Sequence, residues 1–275
     1  MFDENSKINA HGRLAGKRVF ITGVGSTGSG WGNGRSIAVK CAIEGATVWG
    51  VDISYDNVIE TEEIINKIGG KFYFSQCDVT SKVDIERNIN DCNQHLGGID
   101  VLINNVGGSS KGGLEIISEE EWDAQFQFNL KSIFFTCKSI IPILKKNESS
   151  SIVNISSVSG IRWTGSNQIA YSSAKSAVIQ FSKTLALELA SNNIRVNTVI
   201  PGQLYTPLVS KRLVHQKGDG DLNRIIEERK SRIPLPFVGD GRDTANAVVF
   251  LASDEARFIT ATEILVDGGM TTRCN

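Results

Sequence analysis

Seven short runs rich in apolar and β-branched residues punctuate the chain, at 17–22, 46–52, 71–78, 99–105, 150–157, 194–200 and 263–269. They are mostly apolar rather than alternating, as expected of strands buried on both faces of a parallel sheet. Between them lie longer stretches with apolar residues at helical spacing, near 34–44, 56–68, 81–95, 118–146, 168–191 and 242–252. Strand and helix in alternation predict a single α/β domain, a doubly wound sheet of about seven parallel strands flanked by helices. Two segments stand outside the rhythm. Residues 1–15 are polar and read as a loose N-terminal arm before a domain over 16–275, and about 203–235 reads as a lid or substrate-binding loop.

At 275 residues and 40% hydrophobic content the chain can bury a substantial core in one large domain. A net charge of −1 with no long block of like charge argues against nucleic acid or an anionic membrane as the main partner, and for a small molecule. No secretory leader and no membrane-length apolar run is present, so a cytoplasmic protein is expected. Cys41, Cys77, Cys92, Cys137 and Cys274 are scattered without a CxxC or a Cys/His cluster. Neither a metal site nor a disulfide framework is suggested.

Chemistry enters with YSSAK. Tyr171 and Lys175, four residues apart on a predicted helix, lie on one face. A free phenol titrates near pH ~10, and an ammonium one turn away lowers that by roughly 1 to 3 units, toward useful general acid/base catalysis. The first strand runs into TGVGSTGSGWGNGR, from Thr22 to Arg35, and then into a helix. Glycines at a strand-to-helix turn let backbone amides approach a pyrophosphate that sits on the helix N-terminus. Asp52 closes the second strand about 18 residues after Gly34. A carboxylate there accepts hydrogen bonds from ribose hydroxyls and repels a 2′-phosphate; with no Lys or Arg between Thr22 and Gly34, and Ile53 next to Asp52, NAD is favoured over NADP.

Together these motifs resemble the short-chain dehydrogenase/reductase family over about residues 16 to 272. The family's TGxxxGxG turn is matched by Thr22, Gly23, Gly32 and Gly34 if five residues are inserted between Gly23 and Gly32, the helix phase favouring this over an alignment through Gly28 and Gly30. The resemblance implies a Rossmann-type fold and NAD contacts from the turn (Ser26, Trp31 and Asn33 with the matched residues), from Asp52 and Ile53, from Asp78 and Val79 beside the adenine, and from Asn105, Val106 and Gly107 of NNVG. It adds Tyr171, Lys175, and Pro201, Gly202, Leu204 and Thr206 of PGQLYTP. Trp31 is expected either to cover the phosphates or to pack at a subunit contact, and Asn104 could be purely structural.

The same resemblance implies a catalytic set of Asn129, Ser157, Tyr171 and Lys175 without metal. Either Ser156 or Ser157 ends the fifth strand suitably; the second matches the family pattern, 14 residues before Tyr171 and one more than usual. The implied reaction is NAD-dependent interconversion of a secondary alcohol and its ketone, with oxidation of a cyclic dihydrodiol or reduction of a 3-oxoacyl thioester as alternatives. A non-catalytic dinucleotide sensor is the reading from another class, opposed by the complete catalytic set. Substrate-facing candidates are Gly108, Ser109, Ser157, Ser159, Arg162, Trp163, Gln168, Gln203, Tyr205, Leu208 and Arg212. Arg162, Lys111 and Arg212 form a candidate site for an acidic group, against the plainer reading of solvated loop charges. Apolar excess in the 118–146 and 168–191 helices leads to the expectation of a homotetramer.

Overall fold

The computed structural model describes residues 12–207 and 227–274. Seven strands, β1 (Arg18–Thr22), β2 (Thr47–Asp52), β3 (Lys71–Gln76), β4 (Val101–Asn104), β5 (Ser150–Ile155), β6 (Ile194–Pro201) and β7 (Glu263–Val266), form one sheet. The order is β3-β2-β1-β4-β5-β6-β7 and every pairing is parallel. The helices are α1 (Asn33–Ile43), α2 (Ile59–Lys67), α3 (Lys82–Leu96), α4 (Glu119–Phe126), α5 (Ser132–Leu144), α6 (Ile169–Leu189) and α7 (Gly241–Ala252).

Successive strand residues point to opposite faces. Val19, Ile21, Val101, Ile103, Val153 and Ile155 therefore enter one core with α1, α2 and α7, while Phe20, Leu102 and Ile152 enter the other with α3, α5 and α6. Both faces are covered, which is why every residue of β4 and β5 is buried, the polar Asn104, Ser150, Ser151 and Asn154 being hydrogen-bonded inside the fold. The edge strands depart from that expectation. In β3, Lys71, Tyr73 and Gln76 are exposed, the Tyr73 ring lying against the rings of Trp49 and His95.

Residues 12–15 are not a loose arm. Leu14 is fully buried, its amide donates to the Glu44 carbonyl at 3.0 Å, and Arg13 pairs with the Glu44 carboxylate at 2.9 Å. The predicted helix 118–146 is interrupted by a π turn over Gln127–Lys131 between α4 and α5. Such one-turn widenings are invisible to helical periodicity and cluster at functional sites. The turn holds the fully buried Asn129.

Strand order reverses between β1 and β4, which are neighbours in space but not in sequence. In open α/β sheets the crevice beyond the carboxyl ends of the strands at that point is where ligands bind. Here it is bounded by the turn after Thr22 and the segment after Asn104. Among the described residues no helix is long and apolar enough to cross a membrane.

Candidate active site

A cleft of about 320 Å3 opens over the β1/β4 crevice. Its walls include Gly23, Ser26, Gly32, Asn33, Gly34, Asp52, Ile53, Asp78, Val79, Asn105, Val106, Gly107 and Thr206, as expected from the sequence. Helix α1 starts directly against the end of β1, and Gly34 permits this: a β-carbon there would sit 1.8 Å from the Gly23 carbonyl oxygen. The Gly32 N-cap supplies no side-chain bond to the first amides of α1, and the Asn33 Oδ1 is buried without a partner. Open amides at a positive helix terminus beside an unmatched polar atom fit a dinucleotide pyrophosphate. Gly34→Ala is expected to lose cofactor binding in a calorimetric titration and to cost about 1–3 kcal/mol by overpacking, read as a lower melting temperature; wild-type affinity would contradict the placement.

Asp52 holds the turn as well as facing the cleft. Its Oδ2 accepts from the Gly25 amide at 3.0 Å and its Oδ1 from the Ser54 amide at 3.3 Å. Asp78 accepts from the Thr80 amide and hydroxyl at 2.8 and 2.7 Å. These are the two carboxylates of this half of the cleft, and no Lys or Arg is among its described walls.

The inserted residues are fastened from behind. Arg35, only 2% exposed, donates to the Gly30 carbonyl at 2.7 Å and pairs with Glu60 of α2 at 2.7 Å. Ser26 donates its hydroxyl to the Gly28 carbonyl at 2.8 Å and its amide to the Asn57 carbonyl at 2.9 Å. Two residues expected at the cofactor lie elsewhere. Trp31 is not a cleft wall: its ring packs on the α1/α7 core under the Arg242 guanidinium at 5.4 Å, and its carbonyl accepts from the Gly241 amide at 3.2 Å. Thr22 is buried, and its hydroxyl accepts from the amides of Asn105 and Val106 at 3.1 and 3.3 Å, stapling β1 to β4. Asn104 is structural: it donates to Asn154 Oδ1 at 2.8 Å and accepts from Thr136 at 2.7 Å inside the sheet.

A second half-cleft of about 340 Å3 shares Asn33 and Thr206 with the first. Ser157 and Tyr171 face into it, with Ser109, Ser159, Gln168, Pro201, Gly202, Gln203 and Leu204. Ser156 also reaches it, but its hydroxyl is committed to the Lys175 carbonyl at 2.7 Å. Ser157 accepts from the Ser159 amide at 3.2 Å and keeps its own proton to donate.

Lys175 lies behind Tyr171. It is 2% exposed, donates to the Ile155 carbonyl at 2.9 Å and stands 6.0 Å from the centre of the Tyr171 ring. Burial pushes its ammonium down to about 8. Asn129 is braced by the Gly108 amide at 3.0 Å and by the carbonyls of Gly108 and Gln125 at 3.1 and 3.0 Å. Lys175 Nζ and Asn129 Oδ1 converge over Gly107, where a β-carbon would lie 2.7 Å from the first and 3.0 Å from the second. NNVG therefore needs glycine at Gly107 for space.

Several expected substrate residues are not brought together. Arg162 turns away and donates to the carbonyls of Met270 and Thr271, and Trp163, 68% exposed, shares with it an outer groove rather than the cleft. Tyr205 is exposed, and its amide donates to the Gly239 carbonyl at 2.8 Å. Leu208 and Arg212, with most of the 203–235 loop, lie outside the described residues. Of the two described members of the Arg162, Lys111 and Arg212 group, Arg162 faces away and Lys111 lies at the cleft. The same walls carry Glu228, Arg229 and Arg232, which sequence reasoning missed. The charge cluster EERKSR over 227–232 was the available signal, but in a loop such a cluster usually means solvated charge.

The comparisons with known proteins agree with this geometry. The family model described as Enoyl-(Acyl carrier protein) reductase matches residues 28–271. The 3-oxoacyl-(acyl-carrier-protein) reductase FabG of Thermotoga maritima is 38% identical over 258 residues, 94% of this chain and 99% of its own. The crystal structure of a short-chain dehydrogenase/reductase from Burkholderia xenovorans superposes with a TM-score of 0.93 at 47% identity, covering 96% of this chain and 100% of that one. Carveol dehydrogenase from Mycobacterium avium, in complex with NAD, does so with a TM-score of 0.88 at 29% identity, covering 95% and 100%. On sequence and fold alike, the chain belongs to the short-chain dehydrogenase/reductase family, a family of nicotinamide-dependent oxidoreductases.

Proposed function

We propose that the protein is an NAD-dependent dehydrogenase/reductase interconverting a secondary alcohol and its ketone, with Tyr171 as general acid/base. The observation that carries this reading is the joining of two half-clefts at Asn33 and Thr206, one shaped for a dinucleotide and the other holding Ser157 and Tyr171 over buried Lys175. A nicotinamide bound in the first half supplies the hydride acceptor or donor. Ser157 donates a hydrogen bond to the substrate oxygen, where charge develops in the transition state. Tyr171 removes the hydroxyl proton in oxidation and returns it in reduction. Lys175 stabilises the phenolate, and Asn129 with Lys175 positions a water for proton relay. The test is NADH formation across secondary alcohols, diols, sugars and hydroxy acids, with a cyclic dihydrodiol and the reverse reaction on a 3-oxoacyl thioester included. Tyr171→Phe is expected to lose most of the turnover wherever wild type is active; a panel with no Tyr171-dependent turnover would overturn the reading.

The choice of NAD is supported by the Asp52 and Asp78 carboxylates and by walls without a cation. Asp52→Asn keeps an acceptor for the Gly25 amide and removes the charge that opposes a 2′-phosphate. The NAD over NADP preference in kcat/KM is expected to narrow by roughly 10- to 100-fold, the worth of a charge-assisted hydrogen bond. An unchanged ratio would count against the assignment.

We also propose a homotetramer. The face between α4, α5 and α6 is an apolar groove of about 610 Å3 with Phe126, Leu130, Phe134, Ala177 and Phe181 on its walls, and Phe134 remains 42% exposed. Light scattering at working concentration is expected to return four times the chain mass of 29.9 kDa; a monomer would contradict it.

A further inference from the structure

Proton and hydride transfer leave two guanidinium groups of the substrate half-cleft without a task. Arg229 and Arg232, three residues apart, share its walls with Ser157 and Tyr171. Arg229 is half-buried and donates to the Leu204 carbonyl at 3.2 Å, and Arg232 donates to the Thr164 carbonyl at 3.2 Å while passing beside Gly165. A guanidinium carries five N–H donors, so one carbonyl each leaves most of that capacity unspent. Elsewhere in this protein Arg13, Arg18, Arg35 and Arg242 each face a carboxylate. Among the described residues neither Arg229 nor Arg232 does. Burial, and then the neighbouring charge of Arg232, pull the Arg229 guanidinium below its ordinary range. Lys111 adds a third cation to these walls, against the single carboxylate of Glu228. Among the described residues the half-buried Arg229 has no carboxylate partner, and an anionic ligand would offset the cost of burying its charge.

We propose that the substrate carries a carboxylate, which Arg229 and Arg232 hold while its alcohol or ketone carbon lies at Ser157 and Tyr171. The inference rests on the alcohol/ketone reading above and narrows it to hydroxy acids and keto acids. It differs from the acidic-group site expected from sequence, because Arg162 faces away and the two guanidinium groups present come from 227–232, with Lys111 the member in common. The planar fork of arginine matches a carboxylate edge in a way lysine does not.

The experiment compares secondary hydroxy acids, with one to four carbons between carbinol and carboxylate, against their methyl esters and their sulfonate and phosphate counterparts, with NAD as acceptor. The best acid is expected to exceed its ester in kcat/KM by roughly 10- to 100-fold, mainly through KM. In Arg229→Gln and in Arg232→Gln that ratio falls toward one, and Arg→Lys at either position recovers part of it. Arg232 is exposed, so its variants guard against misfolding of the Arg229 ones. Equal use of acid and ester throughout, an acid preference untouched by both Gln variants, or a sulfonate or phosphate outperforming every carboxylate overturns the proposal. A binding arm separates this from failure of the redox reading. Malonate at matched ionic strength is expected to raise the melting temperature of the NAD-loaded wild type but not of the NAD-loaded Arg229→Gln or Arg232→Gln protein. No rise in wild type overturns the carboxylate site even if uncharged alcohols are oxidised; a rise without any turnover supports the site and counts against the redox reading alone.

Discussion

Tyr171→Phe is expected to lower turnover by about 10²- to 10⁴-fold, the range that a positioned general acid/base contributes. Cofactor affinity is expected to be retained. The substitution deletes one oxygen and leaves the ring where it packs, on helix α6 with Lys175 behind it. The amides at the start of α1 and the Asp52 carboxylate are untouched, so a fluorescence titration with the dinucleotide should match wild type while the steady-state rate collapses. Ser157 still donates to the substrate oxygen, which is why the residual rate is above the uncatalysed one. Near-wild-type turnover would remove Tyr171 from the mechanism.

Lys175→Met is expected to abolish catalysis and to raise stability at pH 7. With an effective dielectric of about 20, an ammonium 6.0 Å from the ring centre over which the phenolate charge is shared favours the phenolate by on the order of 3 kcal/mol, so its loss alone costs about 10²-fold in the population of the reactive base. Stability moves the other way. The folded-state value of about 8 lies below the ordinary 10.5, so the unfolded chain binds more protons between those two pH values and stability rises with pH across that window. Below pH about 8 the charged ammonium carries its full burial cost, on the order of 3 kcal/mol. Part of the gain from replacing it is lost, because the Ile155 carbonyl forfeits a hydrogen bond worth about 1 kcal/mol. A net gain of about 1–2 kcal/mol then remains at pH 7 and fades as pH rises through the window to about 10.5. Thermal melts of both proteins at pH 7 and pH 10 check this; a variant less stable at pH 7 would show that Lys175 is held for structure rather than for its charge.

Much of the architecture was legible because both faces of the sheet are covered. Double burial forces apolar runs, and the seven strands were visible in them; at the edge, where β3 has one neighbour, the pattern weakens. Helix 118–146 was legible as helix but not as α4, π turn and α5, since widening by one residue barely disturbs an apolar periodicity. The site divides in the same way. Motif residues at strand ends reach the crevice because topology sends every carboxyl end there. Trp31 and Thr22 belong to the same glycine turn, yet one packs outward on α7 and the other braces β4. Sequence adjacency says nothing about which side of a turn a side chain takes.

The order of elements, the strand-end placement of Asp52, Asn105 and Ser157, and the one-face pairing of Tyr171 with Lys175 were determined by the sequence alone. Each follows from a local period or from a position along one element. What only the tertiary structure decided is which serine has a free proton, that Lys175 is buried enough to lie near pH 8, and that Arg229 and Arg232, not Arg162, share the half-cleft with Ser157 and Tyr171. Those facts depend on segments far apart in the chain arriving at one cleft, and no period within a segment encodes where the others will be.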